Sequence, residues 1–362
     1  MFAFFMVIII INVRKTKESQ VSVLLKIMAN YLQLITTSMS FASNFPSMLI
    51  EMLVPARRLG NSSETFLSFD CFITDYEIKG PFPSNVFLKI FLAAFLPIVL
   101  LLLVTVIWLI VHYTIRKWAP NLTRSIIISF ISILFLLHPK LTELSLSIFR
   151  CIEIDEGISK VRIDASIDCY SSEHFKWIMA LSVPIFIFWV VMPPLIAFVL
   201  LYKNIKKQED NKVKAYLLIL YQGLKEKTFY WEFFNTVRKV ALLFVLLLSD
   251  SMKILFSLTL LLISARIQIY LQPYKDPENN KIELLAIVSG LVTLMSALIF
   301  VQEESVSILN IIVLIMVIIL NVKFILEWIY KMLQTKADKS RFMKAVSQYL
   351  TLTMLLTTHR CL

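Results

Sequence analysis

Residues 86–112 read VFLKIFLAAFLPIVLLLLVTVIWLIVH, a 27-residue run whose only formal charge is Lys89. A helix rises about 1.5 Å per residue and the hydrocarbon core of a bilayer is roughly 30 Å thick, so about 20 apolar residues cross it. A helix satisfies every backbone polar group within its own segment, which the bilayer interior demands, so this run predicts a transmembrane helix. Working outward, comparable runs occupy 21–41, 124–149, 177–202, 233–249, 254–271, 282–300 and 307–330, and a shorter one occupies 1–11. The expected fold class is all-α, a polytopic transmembrane helical bundle of about eight full spans plus a truncated N-terminal one. In that scheme 1–20 form the truncated first span and a basic cytosolic turn. Residues 21–330 form the transmembrane domain with outer loops 42–85 and 150–176, and 331–362 form a basic cytosolic tail.

Composition agrees: 58% of the 362 residues are hydrophobic, 17% are charged, and the mean hydropathy is +0.76. One soluble core could not hide that much apolar surface. The net charge of +11 invites a nucleic-acid reading, which its distribution rejects. Loops 12–20, 113–124, 203–232, 272–281 and 331–362 hold 21 Lys and Arg against 8 Asp and Glu. The intervening segments 42–85, 150–176, 250–253 and 301–306 hold 8 against 14. The basic set marks the cytosolic side and places the C-terminus there. The basic surplus therefore reads as orientation and as attraction to anionic lipid of the inner leaflet, with no nucleic-acid partner expected.

Cys71, Cys151 and Cys169 fall in predicted outer loops and Cys361 in the tail. An oxidising exterior permits a disulfide, and three outer cysteines allow three pairings. Cys151 with Cys169 closes one compact loop and leaves Cys71 odd, so that pair is the candidate. His112, His138, His174 and His359 are scattered, without a metal-type Cys/His spacing. Asn61 opens an Asn-Ser-Ser sequon in an outer loop and is the candidate glycosylation site, whereas the Asn121 sequon falls in a loop assigned to the cytosol. The run 1–11 has no basic n-region or small-residue cleavage site, so a signal peptide fits poorly. It reads either as the second half of a helix whose beginning is missing, making the chain a truncated product, or as a short anchor.

Polar residues inside the spans are the candidate site. Lys26, Asn30, Gln33 and Thr37 lie on one stripe of span 21–41, which faces either neighbouring helices as hydrogen-bonding glue or a hydrated path. Span 124–149 contains His138-Pro139-Lys140-Leu141-Thr142-Glu143. Pro139 predicts a kink, and Lys140 and Glu143 are spaced to neutralise one another. His138, Lys140 and Glu143 make either an ion- or proton-sensing site or a wet interface where the helix ends early. Span 177–202 is interrupted by Pro184, Pro193 and Pro194, a pattern found in moving or substrate-lining helices. Trp231, Glu232, Arg238 and Lys239 belong to a juxtamembrane stretch expected to lie along the surface, its aromatics at headgroup depth and its bases snorkelling to phosphates. In the last span Lys323 and Glu327 are spaced to pair, with Asn321 one turn above. The outer loop 301–306, with Glu303 and Glu304, is too short for a re-entrant selectivity filter.

Several stretches together carry a resemblance: Leu24-Leu25-Lys26-Ile27 with Asn30-Tyr31-Leu32-Gln33, Phe69-Asp70-Cys71, Phe149-Arg150-Cys151, Asp168-Cys169-Tyr170, Tyr230-Trp231-Glu232-Phe233 with Val237-Arg238-Lys239, and Gln272-Pro273-Tyr274 followed by Glu283. Their order resembles the C-terminal membrane region of large protist surface proteins with cysteine-rich ectodomain repeats. That region is loosely similar in turn to transient-receptor-potential-like membrane domains. The resemblance spans residues 12–330 and implies a polytopic helical fold; the cysteine-rich ectodomain is absent from this chain. Two functions are carried forward: an ion-channel-like or sensor domain with cations as its permeants, and a non-conducting anchor or receptor scaffold. A lipid or solute transporter draws only on the proline-broken span. No nucleophile, base and orienter stand together in the loops, so neither an enzyme nor a cofactor is expected.

Overall fold

The computed structural model describes residues 18–39, 47–60, 82, 84–114, 121–155, 157–204, 211–248, 250–302 and 308–337. The 1–11 run, Asn61, Cys71, Glu303, Glu304 and the tail beyond 337 lie outside the described residues. Among those described, the helices are α1 (Gln20–Met39), α2 (Ser47–Gly60), α3 (Asn85–Thr114), α4 (Leu122–Ser147), α5 (Ser172–Lys203), α6 (Asn211–Tyr221), α7 (Trp231–Val245), α8 (Asp250–Leu271), α9 (Pro277–Gln302) and α10 (Ile308–Ala337). They divide into two compact units. The first takes Arg58–Gln222 and Phe229–Ser257, the second Glu18–Arg57, Gly223–Thr228 and the residues from Leu258 onward.

Six helices are long and apolar enough to cross a membrane: α3, α4, α5, α8, α9 and α10. The count of about eight is not reached among the described residues. Helix α7 has 15 residues, about 22 Å of rise against a core of roughly 30 Å, which is too short to span. Helix α1 has 20 residues, yet its polar members dilute it, and its buried residues lie all around the helix rather than on one stripe. Val23, Leu24, Ile27, Tyr31 and Ile35 are each at most 2% exposed. In the second unit α1 packs against both α9 and α10, so protein rather than lipid surrounds it.

The expected loop 150–176 is largely folded, which amends the all-α reading. β1 (Cys151–Asp155), β2 (Ile158–Val161) and β3 (Asp164–Asp168) form an antiparallel sheet in that order. Gly157, at φ +80°, supplies the left-handed residue of the β1–β2 turn. The Cys151–Cys169 disulfide ties the start of β1 to the end of β3. Val161 and Ile167 turn inward onto Phe87 and Ile90 of α3 and Leu181 and Ile185 of α5, so the sheet is seated on the helix ends by apolar burial.

In the second unit the segment 223–228 is stitched to the connector after α8. Leu224 bridges Tyr274, Lys275 N–H donates to the Gly223 carbonyl at 2.9 Å, and Thr228 Oγ1 donates to the Pro273 carbonyl at 2.9 Å. Asn280 in the first turns of α9 clamps Tyr274, accepting from its N–H at 3.0 Å and donating to its carbonyl at 2.9 Å. Gly223, at φ +78°, packs on Val23, where a Cβ would meet the valine methyls.

Candidate functional site

Helix α4 runs without interruption through Pro139 to Ser147 instead of ending early. Pro139 cannot donate to the Phe135 carbonyl. Nearby, Thr142 Oγ1 donates to the His138 carbonyl at 2.7 Å. Lys140 Nζ lies 3.0 Å from Glu143 Oε2, with side chains 15% and 36% exposed, so the two charges are spent on each other. His138 is buried at 5% exposure, and its Nε2 lies 3.0 Å from the carbonyl of Val190 on α5.

That last contact has a cause in the sequence of α5. Pro194 stands four residues after Val190 and has no N–H, so Val190 loses the donor a regular helix would give it. Just ahead of Pro193 and Pro194, Phe186–Val191 adopts π-helical geometry. His138 therefore acts as a replacement donor from the neighbouring helix. His138, Lys140 and Glu143 share one helix, but Lys140 pairs with Glu143 while His138 serves α5.

The polar stripe of α1 is similarly enclosed. Asn30 is buried, Lys26, Gln33 and Thr37 are half-buried, and Thr37 Oγ1 donates to the Gln33 carbonyl at 2.9 Å. Tyr31 of α1, named in the sequence only as part of the Asn30-Tyr31-Leu32-Gln33 stretch, reaches across, as does Gln20, whose Oε1 accepts from Asn279 Nδ2 of α9 at 3.1 Å. The Tyr31 hydroxyl donates to Asn321 Oδ1 at 2.7 Å, and its ring stacks on Phe324 with centroids 3.9 Å apart. Asn321 Nδ2 donates in turn to Thr293 Oγ1 at 3.2 Å and to the Val317 carbonyl at 2.8 Å. Ser289 Oγ donates to the Leu320 carbonyl at 3.2 Å, and Trp328 Nε1 to the Leu24 carbonyl at 2.7 Å. Asn321 thus joins α1, α9 and α10 and is no companion of Lys323 and Glu327, which form no ion pair with each other. Its signal was legible as an amide in the middle of an apolar run.

The juxtamembrane residues also depart from expectation. Trp231 is fully buried and stacks on Phe234 at 4.7 Å, so its ring is packed in protein. Arg238 is buried too, at 5% exposure, and does not snorkel; Glu232 and Lys239 are half-buried. The short α7 packs against α4, so protein contacts take up the face that the sequence assigned to lipid.

Beside the disulfide, His174 Nδ1 accepts from the Tyr170 N–H at 3.1 Å, which assigns the proton to Nε2, 2.9 Å from the Ile148 carbonyl. Cys151, Cys169 and His174 converge, but the sulfurs are joined to each other and both ring nitrogens are engaged, so the cluster is a structural tie between sheet and helices. Burial lowers the affinity of the Arg150 guanidinium for its proton, an effect opposed by the charge of Glu143.

Among the described residues, six helices long and apolar enough to cross a membrane, with polar side chains bonded between them, fit a polytopic helical membrane protein. No family model and no solved structure matches the chain. It is 21% identical, over 382 aligned residues, to the cysteine repeat modular protein A of Toxoplasma gondii. The alignment covers 84% of this chain and 12% of that protein, so the chain spans about an eighth of its relative's length.

Proposed function

We propose that this chain is a non-enzymatic membrane scaffold, the bilayer-embedded part of a cysteine-repeat modular protein, holding the remainder of that protein at the membrane without conducting ions. The observation that supports it is how His138, the Lys140–Glu143 pair and Asn321 are engaged. His138 meets the Val190 carbonyl, Lys140 meets Glu143, and Asn321 meets Tyr31 and Thr293, so these groups bond helix to helix or neutralise one another. A permeation path requires polar groups turned to water. The competing reading, a transient-receptor-potential-like channel or sensor, draws on the partial exposure of the Lys140–Glu143 pair. In the scaffold reading the basic segments face the cytosol together with the C-terminus and attract anionic lipid, and Asn61 carries a glycan on the opposite side.

The test is cation flux in proteoliposomes containing the purified chain, beside the Lys140→Ala/Glu143→Ala variant and protein-free vesicles. Flux equal to protein-free vesicles under voltage, calcium and stretch is expected. Flux above that background, lost in the double variant, overturns the scaffold in favour of the channel.

A further inference from the structure

Within the first unit, α4, α5 and α6 line a half-open cavity of about 440 Å³. That falls inside the roughly 300–1,000 Å³ range of small-molecule sites. Ile127 and Leu134 of α4, Trp189 and Leu200 of α5 and Leu217 of α6 line it. The lining is apolar except for His138, whose Nε2 is already engaged by the Val190 carbonyl. The prolines explain the concavity: Pro193 and Pro194 sit in the wall, where the π-helical turn ends and regular helical packing is broken.

The surroundings identify an occupant. Helices α4 and α5 are both long and apolar enough to span a bilayer, and in that setting the open side of the cavity meets lipid hydrocarbon. From Ile127 to His138 the cavity follows α4 for about 16 Å, an elongated shape suited to a chain. One end is marked by bases. Arg124, buried at 9% exposure, stands one turn before Ile127 on α4, and exposed Lys203, the base open to a headgroup, stands one turn after Leu200 on α5. We propose that this cavity holds an acyl chain of an anionic membrane phospholipid, with its headgroup at the Arg124 and Lys203 end. The site gives the protein a means of responding to the lipid of one leaflet, independently of whether it conducts.

The experiment places the full chain in nanodiscs with phosphatidylserine carrying a diazirine in its acyl chain, photolyses it, and maps adducts by mass spectrometry. Adducts are expected on Leu134, Phe188 and Leu200. Unlabelled phosphatidylserine is expected to compete better than phosphatidylcholine. A base near the membrane surface contributes roughly fivefold to anionic-lipid binding, so Lys203→Gln weakens that competition by about this factor. Ala197→Trp, which fills the cavity, removes the adducts; should it not fold, the wild-type map and Lys203→Gln still decide. Adducts confined to the exposed face of α3, at Leu102, Val106 and Ile110, overturn the proposal. Equal competition by phosphatidylcholine or by a sterol overturns it as well.

Discussion

If His138 is the replacement donor for the carbonyl that Pro194 leaves unserved, the two residues must be energetically coupled. His138→Leu keeps the side-chain volume and removes the donor 3.0 Å from Val190 O. Interhelical hydrogen bonds in membrane proteins contribute about 0.6 kcal/mol on average and up to about 1.7. A buried carbonyl left without a partner costs about 1–3 kcal/mol. The single variant should therefore lose about 1–3 kcal/mol. Pro194→Ala restores an N–H four residues beyond Val190, so in that background the same His138→Leu change should cost only a few tenths of a kcal/mol, because the helix satisfies its own carbonyl. The assay is equilibrium unfolding in mixed micelles titrated with dodecyl sulfate, run as a double-mutant cycle on the full chain. Equal losses in both backgrounds, with a coupling below about 0.3 kcal/mol, would refute the reasoning and return His138 to the list of sensing candidates.

The second unit supplies a parallel case: Tyr31→Phe retains the stack on Phe324 but strands Asn321 Oδ1, and should cost about 1–2 kcal/mol, with a measurable coupling to Asn321→Leu in the same unfolding assay. Gly223→Ala puts a Cβ on a left-handed residue and against Val23, so a loss of about 1–3 kcal/mol is expected, read as a lowered midpoint of thermal unfolding. At the start of β3, burial works against the charge of Asp164, but hydrogen bonds from the Ser166 N–H at 3.0 Å and the Ser166 hydroxyl at 2.7 Å, with the Ser84 hydroxyl nearby, hold the carboxyl below its usual range. Because the folded-state value is the lower one, Asp164 stabilises the sheet above the unfolded value near about 3.9, and that contribution is lost as pH falls through the folded value. Thermal unfolding followed between about pH 2 and pH 6 should therefore fall more steeply for the wild type than for Asp164→Asn.

What the sequence made legible was whatever depends on local composition. Runs such as 86–112 and 307–330 announce spanning helices by length and apolar composition, and both are present. The run at 21–41 looked equivalent because hydropathy reports only that a segment avoids water. It does not distinguish a helix surrounded by lipid from one surrounded by other helices, and α1 is of the second kind. The 233–249 run was read as long enough to cross, but the helix stops at Val245. Its polar residues face other helices, which no window average can reveal. The sheet in 151–168 was missed because its strands are only four and five residues long, too short for alternation to stand out.

The candidate residues were legible in identity but not in partnership, and partnership decides what they do. Lys140 and Glu143 are three residues apart, so their pairing could be read from spacing. His138 and Val190 are separated by 52 residues, and Tyr31 and Asn321 by 290, so neither contact leaves a local trace. Yet each has a sequence-level cause visible in retrospect: a proline that removes a donor four residues downstream of a carbonyl, and an amide placed where only another protein group is available to bond it. An intramembrane polar residue raises two questions together, what it could carry and which backbone or side-chain group lacks a partner nearby. For His138 the second question has a specific answer, the carbonyl opposite Pro194. That answer makes the histidine a helix-to-helix tie, and it leaves the apolar cavity it borders, rather than the histidine itself, as the feature of α4 and α5 suited to recognise something from outside the protein.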